Sequence, residues 1–555
     1  MSLLADPVGE RPWLDHTFGQ ALEWAAYTYA DAEAVVDGVQ RLSFAQMAIR
    51  VRAFGRGLMD LGVGPGDRVA LWMDDRVEWL VARWAVPAIG AVLVPVNTRF
   101  RDQDVAYVLG QSECSTMIVQ QGSRGVSYFE LLGKVEPQWR DQAAGAWQSQ
   151  VLPSLRRVIG LGQELPGSMV SFEEVECAGG EKAQDGELAR RMAQVGPQDV
   201  AQILYTSGTT SFPKGAMVCH GPLLQNNFQT TLRMKLGPSD RYLSCVPLFS
   251  ATGTSYTLSM WLSGAAMVIA ERFESRLFCE LVQKERITVS FFVDTIVQDL
   301  KGFADRARYD LSSLRTGTGA PLPTQSFEWV VKEMGVQGLV SAYGMSETSN
   351  AVVRTRVTDS IEKRSRTNGR PVDGVEIRIA DAKTNETLPA GTVGEVCIRG
   401  YVIMKGYYKM PEETSKTFDE QGWLHSGDLG ELDQEGYLVY RGRVKEMIKP
   451  GGFNVATQEI ELFLKTYPGV KQAVVVGVPD VRMGEIGYAY IELQPGHQVD
   501  AVQLQAYCRE HIAGYKVPRY VEFITEWPMT GSQKIRKLEL KARAESAMSL
   551  KAVTA

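Results

Sequence analysis

The segment Tyr205-Thr206-Ser207-Gly208-Thr209-Thr210-Ser211-Phe212-Pro213-Lys214-Gly215 gathers glycine, serine, threonine and one lysine directly after the apolar run 200–204. Such a loop offers many backbone N–H groups and hydroxyls. The lysine adds a mobile positive charge, and the combination cradles polyphosphate. It is not a Walker A loop, because Pro213 precedes the lysine and no hydroxyl follows it. Alone, the same composition also describes a Ser/Thr-rich surface loop. Three further charged positions carry chemistry only in company. Singly, Asp428 in Ser426-Gly427-Asp428 reads as a turn former and Glu347 as a residue of a helix's first turn. Lys534, in Lys534-Ile535-Arg536-Lys537, reads as part of a solvated charge cluster.

The elements that must position these residues alternate between helix and strand. Ser43 can cap an amphipathic run over 44–61, and Gly62-Val63-Gly64-Pro65-Gly66-Asp67 turns the chain into an apolar strand at 69–72. A helical run at 77–88 leads to a strand at 91–95, and a third round of the pattern ends on a strand at 116–119. Strands separated by helices of that length predict right-handed crossovers and a mostly parallel sheet. Residues 121–200 are more polar and yield little. From about 370 the pattern changes to short strands with frequent glycines, at 375–379 and 394–398, predicting a small β-rich subdomain. Beyond Arg443, strands at 473–476, 488–491 and 520–523 and a helix at 502–511 have the size of a separate α+β domain.

Composition narrows the classes. Hydrophobic residues make up 45% and charged residues 22% of 555, which is ordinary for a globular chain of more than one domain. A net charge of −6 without a basic cluster disfavours nucleic acid. Seven scattered cysteines and five scattered histidines suggest neither a disulfide framework nor a zinc site, and reduced thiols fit a cytoplasmic enzyme. No apolar run approaches the ~20 residues of a membrane span, and the N-terminus lacks the pattern of a signal peptide.

The phosphate loop closely resembles that of the adenylate-forming superfamily: acyl-CoA synthetases, nonribosomal-peptide adenylation domains and beetle luciferases. The resemblance covers nearly the whole chain, and the motifs occur in family order. Gly319-Ala320-Pro321-Leu322 resembles the segment lining adenine, and Tyr343-Gly344-Met345-Ser346-Glu347-Thr348 the Y-G-x-T-E element. Trp423-Leu424-His425-Ser426-Gly427-Asp428 resembles the ribose-binding W-x-x-T-G-D, Gly442-Arg443-Val444-Lys445-Glu446 the hinge, and Gly531-Ser532-Gln533-Lys534-Ile535 the C-terminal catalytic loop. The implied fold class is α/β: a large N-terminal domain of parallel α/β sheets (1–442, β-rich subdomain about 370–442) and a small mobile α+β C-terminal domain (443–555).

What the resemblance implies is an acid–CoA ligase that uses ATP, Mg²⁺ and coenzyme A. Thr206, Ser207, Gly208, Thr209, Thr210 and Lys214 would hold the phosphates, Glu347 would ligate Mg²⁺, and Ser346 would reach the α-phosphate. Tyr343, with Gly344, Gly319, Ala320 and Pro321, would line adenine, while Asp428 and Arg443 would hold the ribose. Lys534 would bridge the acyl carboxylate and α-phosphate. Rotation about Lys445 would then bring up Gly452, where the pantetheine arm passes close to backbone. Phe249, Ser250, Gly253, Asp294 and Gly317 mark the acid pocket. Small residues there, Thr316 and Thr318 included, suggest room for a fatty or a bulky cyclic, terpenoid-like acid.

Several positions depart from the family pattern. Ser211 and Gln533 replace glycines in the two loops serving adenylation, Ser250 a gating histidine, and Asp294 and Thr457 prolines. An enzyme specialised for thioester formation from a supplied acyl-adenylate is therefore an alternative. No aspartate follows Pro247-Leu248-Phe249 to hold an amine, so an amino acid substrate is disfavoured. A luciferase-like oxidoreductase and a non-catalytic nucleotide-binding scaffold are the remaining alternatives, the latter disfavoured because Lys534 and Glu347 are both present. The expected partners are the small-molecule acid, ATP and CoA, with a homodimer left open.

Overall fold

A computed structural model describes residues 12–553, except 124, 182–185, 207–212, 271, 321, 451–454 and 530–534. The chain divides into two compact units, residues 1–376 with 399–419, and residues 377–398 with 420–555. By contact, then, the β-rich strands group with the C-terminal residues, whereas the sequence pattern grouped them with the N-terminal domain.

The first unit holds two large sheets. In the nine-stranded sheet the strands Gly338–Met345, Thr316–Gly319, Val289–Phe292, Arg241–Ser244, Ala266–Ile269 and Glu33–Asp37 lie side by side and parallel. In the eight-stranded sheet the parallel centre is Val200–Thr206, Val92–Pro95, Arg68–Trp72, Thr116–Gln120 and Arg157–Leu161. One apolar core joins residues of both sheets, such as Val69, Leu71, Tyr242 and Met267, through the helices Phe18–Thr28, Phe44–Asp60 and Val77–Ala88. The predicted parallel pairing is what the structure has.

Local sequence explains the helices. Ser43 accepts the Gln46 N–H at the start of Phe44–Asp60, and the Gln46 side chain reaches back, closing a capping box. Val77–Ala88 is buried on nearly every face, as its apolar run requires of a helix inside a sandwich of sheets. Among the described residues no helix is long and apolar enough to cross a membrane.

The second unit carries most of a four-stranded sheet, Val375–Ala380, Gly394–Gly400, Leu424–Leu432 and Leu438–Arg443, of which the last three strands pair antiparallel. It also has a three-stranded sheet, Val470–Asp480, Gly484–Leu493 and Tyr520–Phe523, covered by the helices Thr457–Leu464, Ala501–His511 and Lys537–Val553.

Candidate active site

In open α/β sheets, ligands bind beyond the carboxyl ends of the strands. Four neighbouring strands of the nine-stranded sheet end on positions singled out above. Gly338–Met345 carries Tyr343 and Gly344, Thr316–Gly319 ends on Gly319 and runs into Ala320, and Val289–Phe292 runs into Asp294. Arg241–Ser244 runs into Phe249 and Ser250. The sheet thus brings the expected adenine and acid-pocket residues to one edge.

Glu347 sits in the 3₁₀ turn Ser346–Thr348 just beyond that edge and is 6% exposed. The turn is held by buried side chains: Asn226 donates to the Ser349 carbonyl (2.9 Å), Thr348 Oγ1 accepts from Met345 N–H (3.2 Å), and Ser349 Oγ donates to Val402 O (2.8 Å). These bonds hold Ser349 and Asn350 at φ 55° and 96°, a left-handed region that costs about 1–3 kcal/mol per non-glycine residue. The Glu347 carboxylate accepts the Tyr407 hydroxyl at 2.8 Å. Its Oε2 has no hydrogen-bond partner among the described residues, which leaves a hard, negatively charged oxygen for a cation.

Lys214 reaches the same phenol from the other sheet. Strand Lys214–Cys219 pairs with Gly406–Tyr407, and the Lys214 ammonium lies 5.0 Å from the centre of the Tyr407 ring. It also pairs with Glu413, whose carboxyl is pulled down to about 2 by Lys214 and Lys416. Burial and the adjacent Glu347 push the Tyr407 phenol well up, so it is a neutral donor at any physiological pH. Thr206 stands opposite Lys214 at the mouth of the loop, whose residues Ser207, Gly208, Thr209, Thr210 and Ser211 lie outside the described residues. Tyr407 and Glu413 were missed by sequence reasoning. The only available signal was their place in a Gly-Tyr-Tyr and Pro-Glu-Glu stretch with no motif of its own.

The pocket residues have packing duties as well. Ser250 caps helix Ala251–Ser263, accepting from Gly253 N–H (3.0 Å) and donating to Pro247 O (2.7 Å). A Cβ on Gly253 would meet Pro247 O at 2.1 Å, and one on Gly317 would meet Ser290 O at 2.4 Å. On Gly344 it would meet Asn350 O at 2.1 Å and on Gly319 a Leu322 methyl at 2.7 Å. Thr318 is held by Tyr256 (2.6 Å) and Arg354 (2.7 Å), and Thr316 donates to Gly338 O. The small side chains that the sequence read as a sign of room also serve close backbone packing at Gly253, Gly317, Gly319 and Gly344. The Asp294 carboxylate accepts from Ser326 (2.7 Å) and Gln298 (3.1 Å), tying two helices together.

In the second unit Asp428 faces Arg443 across the strand pair, with Arg443 Nε 3.4 Å from Oδ1. Burial works against the Arg443 charge, but Asp428, Tyr440 and Glu446 outweigh it and hold its pKa above the ordinary value. Lys445 lies in the 3₁₀ turn Val444–Glu446, and Glu446 and Glu461 pair with Lys537. Pro321, Gly452, Gln533 and Lys534 lie outside the described residues.

The chain belongs to the AMP-binding enzyme family: that family's model matches residues 22–408 and the model of its C-terminal domain residues 459–534. Within the adenylate-forming enzymes it is most like the acyl-CoA synthetases. It is 37% identical over 532 residues to YngI of Bacillus subtilis (strain 168), provisionally named an acyl-CoA synthetase, covering 95% of this chain and 97% of that one. It is 31% identical over 545 residues to the human mitochondrial medium-chain acyl-CoA ligase ACSF2, covering 96% and 88%. Among solved structures, the anthranilate CoA ligase AuaEII in complex with anthranoyl-AMP superposes with a TM-score of 0.86 at 26% identity, covering 97% and 98%.

Proposed function

We propose that the chain is an ATP-dependent, AMP-forming acid–CoA ligase that activates a hydrophobic carboxylic acid as its acyl-adenylate and then passes the acyl group to CoA. The observation that carries this reading is the convergence of Lys214 and Glu347, far apart in sequence, on the single buried phenol of Tyr407. A half-buried cation and a buried anion on one neutral donor suit a site where polyphosphate and its counter-ion arrive together.

In the first half-reaction a carboxylate oxygen attacks the α-phosphorus and pyrophosphate leaves. Two anions approach, so the site must neutralise charge before the bond forms. Lys214 exchanges Glu413 for the β- and γ-phosphates. Glu347 would hold Mg²⁺, a hard cation matched to carboxylate oxygens. Bound there, the ion would supply charge neutralisation to the triphosphate. Tyr343 stacks on adenine, Asp428 accepts the ribose hydroxyls with Arg443 beside it, and Ser346 donates to the α-phosphate. Lys534 bridges the two reacting anions. In the second half-reaction the C-terminal domain turns about Lys445, Lys534 withdraws, and the loop bearing Gly452 admits the thiol. The thiolate attacks the acyl carbonyl and AMP leaves.

For the acid we favour a medium-chain fatty acid over a bulky cyclic one. The close packing around Gly253, Gly317 and Thr318 argues against a wide pocket, and the ACSF2 relatives are named for medium chains. The test is a panel of straight-chain acids from C4 to C18, with benzoate, anthranilate and a terpenoid acid, incubated with ATP, Mg²⁺ and CoA. Acyl-CoA should form best near C8–C12. A preference for an aromatic or terpenoid acid would overturn the substrate assignment and leave the reaction class intact.

A further inference from the structure

The strand that bears Asp428 does not run straight. Opposite Gly394–Gly400 its register jumps: Glu395 faces Leu429 while Cys397 faces His425, so two steps on one strand oppose four on the other. The excess loops out as a bulge around Ser426 and Gly427, and a bulge leaves backbone groups without ladder partners. Side chains take them. The Glu395 carboxylate accepts Gly427 N–H through Oε1 (2.9 Å) and His425 Nδ1–H through Oε2 (2.8 Å), spanning the bulge from its first residue to its third. Ser426 Oγ accepts Asp428 N–H (3.1 Å) and donates to Val396 O (2.6 Å). Gly427 is left-handed at φ 70° with nothing within 4 Å of an added Cβ, so its glycine is needed for conformation and not for space.

We propose that Glu395 is a positioning residue for nucleotide selection: it fixes the bulge that presents Asp428 to the ribose. The inference rests on the reading of Asp428 as the ribose acceptor. Glu395 itself need not touch the nucleotide. Its ligating atoms, with those of Cys397 and His425, lie within 4.8 Å of one another, a donor set that also suits a soft cation such as zinc. Both carboxylate oxygens are already committed to N–H donors, and the hydrogen-bonded arrangement is therefore the one favoured.

Isothermal titration of the full-length protein with Mg-ATP and with Mg-2′-deoxy-ATP tests this without knowledge of the acid. Wild type prefers ATP, and Asp428→Asn abolishes the preference. Glu395→Ala lowers it at least about fivefold, the value of one lost hydrogen bond in the chain of contacts. Glu395→Asp, which keeps the charge but is one methylene short and is the safer variant for folding, lowers it in the same direction. Glu395→Gln retains most of it, because the amide oxygen still accepts from Gly427 while His425 changes tautomer to accept from the amide nitrogen. Adding Glu395→Ala to Asp428→Asn lowers the preference no further. If Glu395→Ala and Glu395→Asp weaken both nucleotides equally, or neither, the positioning role is wrong. If Asp428→Asn leaves the preference untouched, the ribose reading fails first and takes this inference with it. One equivalent of zinc in the purified protein, whose removal by a chelator changes the preference, would replace the hydrogen-bonded assignment with a metal site.

Discussion

The two charged loci of this protein are built in opposite ways. Lys214, Tyr407 and Glu347 meet through space, from an edge of one large sheet and a turn beyond another. Asp428 and Arg443 are register partners on adjacent strands of one small sheet. The first locus depends on tertiary packing and is buried by it; the second depends on one strand pair and its bulge. The difference teaches where each should be fragile. Distant packing can shift the first, while the second should answer only to its own strands.

The largest effect is expected at Glu347. Glu347→Gln keeps the shape and the Tyr407 contact but removes the charge, and acid-dependent pyrophosphate release should fall about 10²–10³-fold. A drop under tenfold would mean that the cation is held elsewhere. Asp428→Asn comes next: the KM for ATP should rise about 10- to 100-fold, the worth of one or two charge-assisted bonds, with little change in the KM for the acid. Equal shifts in both constants would make the second locus structural and erase the contrast. Tyr407→Phe should cost about fivefold in kcat for adenylation, because Glu347 loses one donor yet keeps its buried turn. A loss as large as that of Glu347→Gln would show the phenol to be more than a spacer.

The last effect lies outside catalysis and concerns stability. His220 begins the helix that follows the Lys214 strand; it is fully buried, and burial holds its pKa down to about 3. Below about 6.5 the unfolded chain binds a proton that the folded imidazole refuses, so the folded state loses stability as pH falls toward 3, by about 1.4 kcal/mol per unit at most. His220→Asn should flatten the acid side of the unfolding midpoint against pH. The Asp428 side of the molecule should be unaffected, as nucleotide-selectivity measurements at pH 6 and 7.5 can check.

Much of the frame was legible in the sequence because its signals are local. Val77–Ala88 ends where its apolar run ends, and Ser43 caps the helix it precedes. Asp428 and Arg443 were picked out only by resemblance, and the structure sets them opposite each other on one strand pair. The stretch 121–200 was not legible, since its helix Phe172–Glu181 is defined by a distant partner: a Cβ on Gly179 would meet Ala53 O at 1.9 Å, and one on Gly57 would meet Val175 O at 2.0 Å. Tyr407, Glu413 and Glu395 were missed for the same reason. Each acts on a residue far away in sequence or across a bulge, and neither periodicity nor spacing records such a contact.

The central claim is that the acid is activated as an adenylate in a step separable from thioester formation. Acid-dependent exchange of labelled pyrophosphate into ATP, measured without CoA, tests it most directly. The account predicts exchange that requires the acid and Mg²⁺, is lost in Lys534→Ala, and gives way to AMP and acyl-CoA when CoA is added. Thioester formation with ADP and phosphate as products, or no exchange from a protein that thioesterifies only a supplied acyl-adenylate, would contradict it.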